Sequence, residues 1–237
     1  MGRPGSRAAP CHRLAPLSKR RAVSLKPSFV IAVDGPAASG KGTIARALAR
    51  HFALPHMDTG MLYRAVALNL VRWGGDPASE FEALRACDVA AVPTDDPELR
   101  SEIVGEIASR ISVYSAVRTA LLDRQREFAA QPGGAVLDGR DIGTVIVPDA
   151  SAKLFVTAAP EIRARRRTEQ LVANGKPVRF ADVLTDVMAR DARDARRDVA
   201  PLAKAEDAVV LDTTTLSIDA SIARALELIE MRASGQN

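Results

Sequence analysis

Residues 29–43, FVIAVDGPAASGKGT, constrain this chain more than any other stretch. Five apolar residues, Phe29 to Val33, give way to Asp34-Gly35-Pro36, then to small residues, then to Gly40-Lys41-Gly42-Thr43. Ile44, Ala45, Ala47, Leu48 and Ala49 resume an apolar pattern at helical spacing. The succession predicts a buried strand, a loop and a helix, and the loop matches G-x-x-x-x-G-K with Gly35, Gly40 and Lys41 in register. Such a loop wraps a polyphosphate and offers it backbone N–H groups, so Pro36, Ala37, Ala38 and Ser39 must stay small. Gly35, Gly40 and Gly42 allow dihedrals and close approaches that a Cβ blocks. The helix opening near Lys41 aims the positive end of its dipole at the same phosphates. Lys41 is then placed to neutralise β- and γ-phosphate oxygens, and Thr43 offers a hydroxyl near a metal. The residue after the lysine is Gly42, where the common loop has Ser or Thr, so the hydroxyl comes one position later. This stretch predicts a nucleoside triphosphate site.

At 237 residues, 47% of them hydrophobic, the chain suits one domain with embellishments and a normal core. An aromatic fraction of 4% argues against a nucleic-acid surface built on stacking. No apolar run approaches the roughly 20 residues of a membrane span. Residues 1–28 carry Arg3, Arg7, Arg13, Lys19, Arg20, Arg21 and Lys26 and no acid; against an overall +4, those seven charges leave the rest at −3. We read 1–28 as a disordered basic extension; a targeting segment or a nucleic-acid-binding arm are its functional alternatives. Cys11 and Cys87 make no disulfide framework, and His12, His51 and His56 do not cluster with them. The expectation is a zinc-free, cytoplasmic monomer with no nucleic-acid or membrane partner.

Along the chain, Leu54 to Asp58 reads as a second strand, followed by a helix to Trp73 that Gly74-Gly75-Asp76-Pro77 stops. Thr59, Tyr63 and Arg64 thus fall at a strand's carboxyl end beside the phosphate loop, the edge where ligands bind in open α/β sheets. Residues 76–133 read as a mainly helical insert, with a pattern over 99–128 broken near Tyr114. Ala135 to Leu137 is a third strand running into Asp138-Gly139-Arg140-Asp141, which puts Asp138 where such folds place a group near magnesium. Lys153 to Thr157 is a fourth strand. Two charged helices follow, one over 162–174 with Arg163, Arg166 and Arg167, the other over 180–197. In the second, Arg190, Asp194 and Arg197 share a face at i, i+4 and i+7, with Arg193 beside them. Two such helices in tandem suggest a mobile arginine lid, about 160–178, that surrounds a moving phosphoryl group with cations and keeps water out. Ala208 to Asp212 is a fifth strand, and an amphipathic helix over 217–231 closes a domain spanning 29–237. Five strands alternating with helices predict a three-layer α/β P-loop fold on a parallel sheet with right-handed crossovers.

With these stretches in place, the chain resembles the bacterial cytidylate kinases. The motifs that carry the resemblance are IAVDGPAASGKGT (31–43), DTGMLYR (58–64), LDGRDIGTVIVPDA (137–150), RDARDARRDVAPL (190–202) and LDTTTLS (211–217). The resemblance implies transfer of the γ-phosphoryl of ATP, with Mg²⁺, onto CMP or dCMP. Gly35 to Thr43 would hold the ATP phosphates, with Thr43 and Asp138 toward the metal. Thr59 and Arg64 would meet the acceptor nucleotide, and Ser109, Arg118 and Asp141 would read the cytosine edge. Arg140 and Arg197 would hold the acceptor phosphate, and Arg190 with Asp194 the ribose. Lys41, Arg140, Arg190 and Arg197 would carry turnover. Many members have a small extra β-sheet in the insert; here the segment between Cys87 and Ile107 is short and reads without such strands. Two alternatives stand beside this reading: another small P-loop kinase with a UMP, AMP or small-alcohol acceptor, and a non-catalytic nucleotide-gated binder using the basic extension.

Overall fold

A computed structural model describes residues 28–197 and 199–234. The basic extension expected over 1–28 lies outside the described residues except for Ser28, which pairs with Gly133 alongside the first strand.

The apolar run ahead of the loop forms the strand β1, Ile31–Asp34, whose residues are all buried. A strand buried on both faces belongs in the middle of a covered parallel sheet, and β1 lies there. Its neighbours are β3 (Val136–Gly139) and β4 (Ala152–Thr157); β2 (His56–Asp58) and β5 (Val209–Asp212) take the edges. The order is β2-β3-β1-β4-β5, every pair parallel. Each strand therefore delivers its carboxyl end to one rim, and the register sets Asp34 beside Gly139 and Phe155.

On one face, Ile44, Leu48 and Phe52 of α1 (Lys41–Phe52) and Ala225 and Ile229 of α8 (Ile218–Ala233) pack on Ile31, Val33, Leu154 and Val156. The other face carries Ala32 and Leu137 against Ala129, Ile142 and Ile146. The insert builds its own core. Its helices α3 (Glu80–Arg85), α4 (Glu102–Ile111) and α5 (Ser115–Ala129) pack on α2 (Thr59–Trp73) through Leu68, Leu70, Leu99, Ile111 and Leu121, all at most 2% exposed. No strand forms between Cys87 and Ile107, as the short segment predicts. The arginine-rich helices are α6 (Pro160–Ala173) and α7 (Phe180–Ala195), which meet through Ala164, Leu171, Val183 and Val187. Among the described residues no helix is long and apolar enough to cross a membrane.

Two local outcomes differ from the expectation. The helix over 180–197 ends at Ala195, because Leu202 N–H takes the Asp194 carbonyl at 2.8 Å and turns the chain back. Residues 142–146, given no structure above, form a wide helical turn. Its start is held by Asp34, whose two carboxylate oxygens accept from Ile142 N and Gly143 N at 2.8 Å each.

Candidate active site

Between β1 and α1 the chain makes the loop 35–40, where Gly40 caps α1 at φ 89° and Ala38 also sits in the left-handed region at φ 59°. α1 itself places no acidic side chain in its first turn, so its free N–H groups are open to an anion. Lys41 Nζ donates to Pro36 O at 3.4 Å. Burial pushes the Lys41 ammonium down to about 7, with Arg140 adding to the effect and Asp138 and Asp58 opposing it. A polyphosphate would reverse that shift by supplying the missing counter-charge.

Asp138, at the carboxyl end of β3, is 2% exposed. His56 Nε2 meets its Oδ1 at 2.6 Å. The other oxygen faces the phosphate loop: a Cβ built on Gly42 would lie 3.5 Å from Asp138 Oδ2. That is ordinary van der Waals contact, so Gly42 leaves the space between loop and carboxylate open without a side chain being excluded from it. Thr43 Oγ1 receives a hydrogen bond from Arg46 Nη2 at 3.4 Å. No group of three or more His, Cys, Asp or Glu side chains converges as a metal cage among the described residues. The hard oxygens of Thr43 and Asp138 fit a magnesium ion that takes its remaining ligands from phosphate and water.

From this loop a cavity of about 520 Å³ runs under the insert. Ala37, Ala38, Lys41 and Gly42 line one end, and Ser109, Arg118 and Asp141 line it too, with Arg140, Arg190 and Arg197 on its walls. Thr59, Arg64 and Arg167 also contribute. Gly35, Pro36, Ser39, Gly40 and Thr43 belong to the loop but lie outside this lining, as do Asp138's neighbour His56 and the residues Asp194, Arg163 and Arg166.

Arg118 and Asp141 form a buried ion pair, their side chains 9% and 7% exposed. Arg118 also donates to Ser112 O at 3.3 Å and stands over the Tyr63 ring. Burial pushes the Asp141 carboxyl up, against the pull of Arg118 and Arg197. The pair sets a donor beside an acceptor on one wall. Arg64 reaches from α2 beneath α4, donating to Leu99 O at 2.7 Å and Ser101 O at 3.3 Å. Gly105 makes room for it, because a Cβ there would come within 2.6 Å of Arg64 Nη2. Thr59 Oγ1 donates to Asp138 O at 2.9 Å, which locks α2 to β3.

Asp194 is 1% exposed and holds Arg140 (Nε, 2.7 Å) and Arg197. Burial alone would raise its carboxyl; Arg140 and Arg197 outweigh burial and keep it below the usual carboxylate range. Arg190 differs. Its side chain makes no hydrogen bond or ion pair with any described residue, and its Nε is buried without a partner. Burial, then Arg140, push it down to about 10, so it remains cationic at neutral pH. The expected lid arginines divide in the same way. Arg163 is fixed by Asp191 (2.5 and 3.0 Å), Ala158 O and Ala37 O, and Arg166 by Thr213 behind the phosphate loop. Arg167 alone of the three reaches the cavity and pairs with Glu102 on the insert.

The sequence patterns give no site role to Asp34, His56 or Asp58, and place Tyr63 only at the ligand-binding edge. Asp58 and Tyr63 lie in the DTGMLYR motif itself, both on the cavity wall, and Asp34 ends the first strand. For His56 no local signal exists, since its partner Asp138 is 82 residues away.

A parallel sheet bearing a phosphate loop, faced by helices that supply arginines, defines a P-loop kinase. A solved structure of an uncharacterized protein from Eubacterium ventriosum shares this fold, with a TM-score of 0.50 at 16% identity over 86% of this chain and 98% of that one. Residues 31–231 match the family model described as cytidylate kinase. The cytidylate kinase of Xanthobacter autotrophicus is 55% identical over 211 residues, covering 88% of this chain and 100% of its own. That of Methylocella silvestris is 53% identical over 203 residues, covering 85% and 94%. The chain belongs to the cytidylate kinase family.

Proposed function

We propose that the chain transfers the γ-phosphoryl group of ATP to CMP or dCMP, releasing ADP and CDP or dCDP. The observation that carries this reading is a single cavity with Lys41 at the phosphate loop, the Arg118–Asp141 pair on its wall and Arg140, Arg190 and Arg197 around it. A carboxylate accepts from the cytosine 4-amino group, and a guanidinium donates to the ring acceptors beside it. Uracil offers an acceptor where cytosine has its amino group, so the same pair opposes it.

An acceptor phosphate needs no base, unlike an alcohol, because its oxygen is already anionic. Positioning and charge neutralisation suffice, and no covalent intermediate is required. Lys41 and the first-turn N–H groups of α1 hold the donor phosphates. Arg140 and Arg197, held by Asp194, hold the acceptor phosphate, and the unpaired Arg190 faces the charge that develops between the two. Arg64 and Thr59 seat the acceptor nucleotide, and Arg167 closes from the lid. Thr43 and Asp138 would hold a magnesium ion, which would supply charge neutralisation for the donor phosphates.

A coupled ADP assay with CMP, dCMP, UMP, AMP and shikimate offered in parallel tests the proposal. Strong turnover on CMP and dCMP with weak UMP is expected. Equal CMP and UMP rates would discard the base-reading assignment, and preference for shikimate or AMP would discard the acceptor.

A further inference from the structure

We propose that Arg193 is a positioning residue for base selection: its guanidinium orients the Ser109 hydroxyl, so recognition of the acceptor base depends on α7 docking against α4. The proposal rests on the CMP reading above and adds a residue to it. Arg193 lies on α7 between Arg190 and Arg197, and Ser109 lies near the end of α4. Nη1 of Arg193 donates to Ser109 Oγ at 2.7 Å across 84 residues of sequence, and both side chains line the cavity. Ser109 is 4% exposed, so little water competes for the bond.

The company Arg193 keeps is unlike that of its neighbours. Arg118 has Asp141, Arg163 has Asp191, and Arg140 and Arg197 share Asp194. Among the described residues Arg193 meets no carboxylate within ion-pair distance and spends its charge on a neutral hydroxyl. Such a charge-assisted bond is stronger than one between neutral groups. A guanidinium accepts nothing, so the Ser109 proton must point away from Arg193, and one lone pair of Oγ is occupied. The proton and the second lone pair can still exchange places, but the guanidinium polarises the O–H and biases the hydroxyl toward donating to the base. Cytosine and uracil differ in donor and acceptor order along the edge that Arg118 and Asp141 face, and a hydroxyl biased toward donation discriminates more than an unbiased one. The lid side touches α4 a second time through Arg167 and Glu102, in its first turn, so α4 is held at both ends by α6 and α7.

The test compares the full-length chain with Arg193→Met, Arg193→Lys, Ser109→Ala and the Arg193→Met/Ser109→Ala double variant. The readouts are steady-state kinetics on CMP and UMP and the rise in Tm that CMP produces. Arg193→Met should raise the CMP KM more than it lowers kcat, and should narrow the CMP-over-UMP ratio of kcat/KM by about tenfold. Arg193→Lys should restore most of the ratio, and the double variant should be no worse than Ser109→Ala alone. Equal rises in KM for CMP and UMP, or additive effects in the double variant, would overturn the proposal and leave Arg193 a packing or general phosphate residue. Should Arg193→Met fail to fold, Ser109→Ala decides: an unchanged CMP-over-UMP ratio there overturns the proposal. A wild type that neither phosphorylates CMP nor is stabilised by it removes the underlying reading and this one together. Wild-type preference for CMP that survives in Arg193→Met removes this one alone.

Discussion

Asp194, on α7, receives the Nε–H of Arg140 at 2.7 Å, joining the lid-side helix to the loop that ends β3. The two residues are 54 positions apart, and the carboxylate has almost no exposure of its own. Asp194 is not among the residues that line the cavity, whereas Arg140 and Arg197, which it holds, both are. Asp194→Asn removes that charge while leaving Arg140 and Arg197 in place. Breaking a buried pair on one side costs about 3–5 kcal/mol. We expect a drop in stability of that order and a loss of at least tenfold in kcat/KM for the acceptor. A melting curve close to wild type would show that the arginines hold their places without it.

Lys41 yields a pH prediction. Its amine, pushed down to about 7 by burial and by Arg140, is largely neutral at pH 8 in the free protein. Bound phosphates favour the charged form, so ATP binding at pH 8 should take up close to one proton, and at pH 6 almost none. Since the complex holds the proton more tightly, affinity is greatest below pH 7 and weakens by up to about tenfold per unit above it. Calorimetry in buffers of different ionisation enthalpy measures the uptake directly. A slope at pH 8 that persists in Lys41→Met would assign the proton to another group.

Gly105→Ala separates helix propensity from site geometry. On propensity alone the change stabilises α4 by about 1 kcal/mol. The new methyl, however, enters the space of the Arg64 guanidinium, 2.6 Å from Nη2. Arg64 is a long side chain and will shift, giving up its bond to Leu99 O. The expected result is a Tm near wild type with an acceptor KM raised about tenfold. An unchanged KM would remove Arg64 from the acceptor site.

Arg118→Met isolates the base-reading pair. With Asp141 left buried and its carboxyl already raised, the acid should protonate more readily and lose its selectivity for an amino donor. CMP turnover should fall at least tenfold, with UMP affected less, in parallel assays. Equal losses on both substrates would mean that the pair holds the insert together and reads no base.

The parallel sheet and the phosphate loop were legible in the chain because their causes are local. Apolar runs, glycines at set spacing and strand ends that become polar each act within a few residues, and the five strands lie where those signals put them, whereas the helical turn over 142–146 had no such signal. Beyond the phosphate loop, the list of candidate site residues came from the family resemblance of the motifs. What each arginine does was not legible. Arg163, Arg166 and Arg190 look alike in a charged helix pattern, yet the first is spent on Asp191 and two carbonyls, the second on Thr213, and the third on no described partner. The turn held by Asp34, the His56–Asp138 pair and the Arg193–Ser109 bond all join residues far apart in sequence. Local sequence decides which elements form, since backbone preference and hydrophobic period are properties of neighbouring residues. Which charge is neutralised and which is left for a ligand depends on pairings between elements, and those exist only once the sheet, the insert and the lid helices are packed.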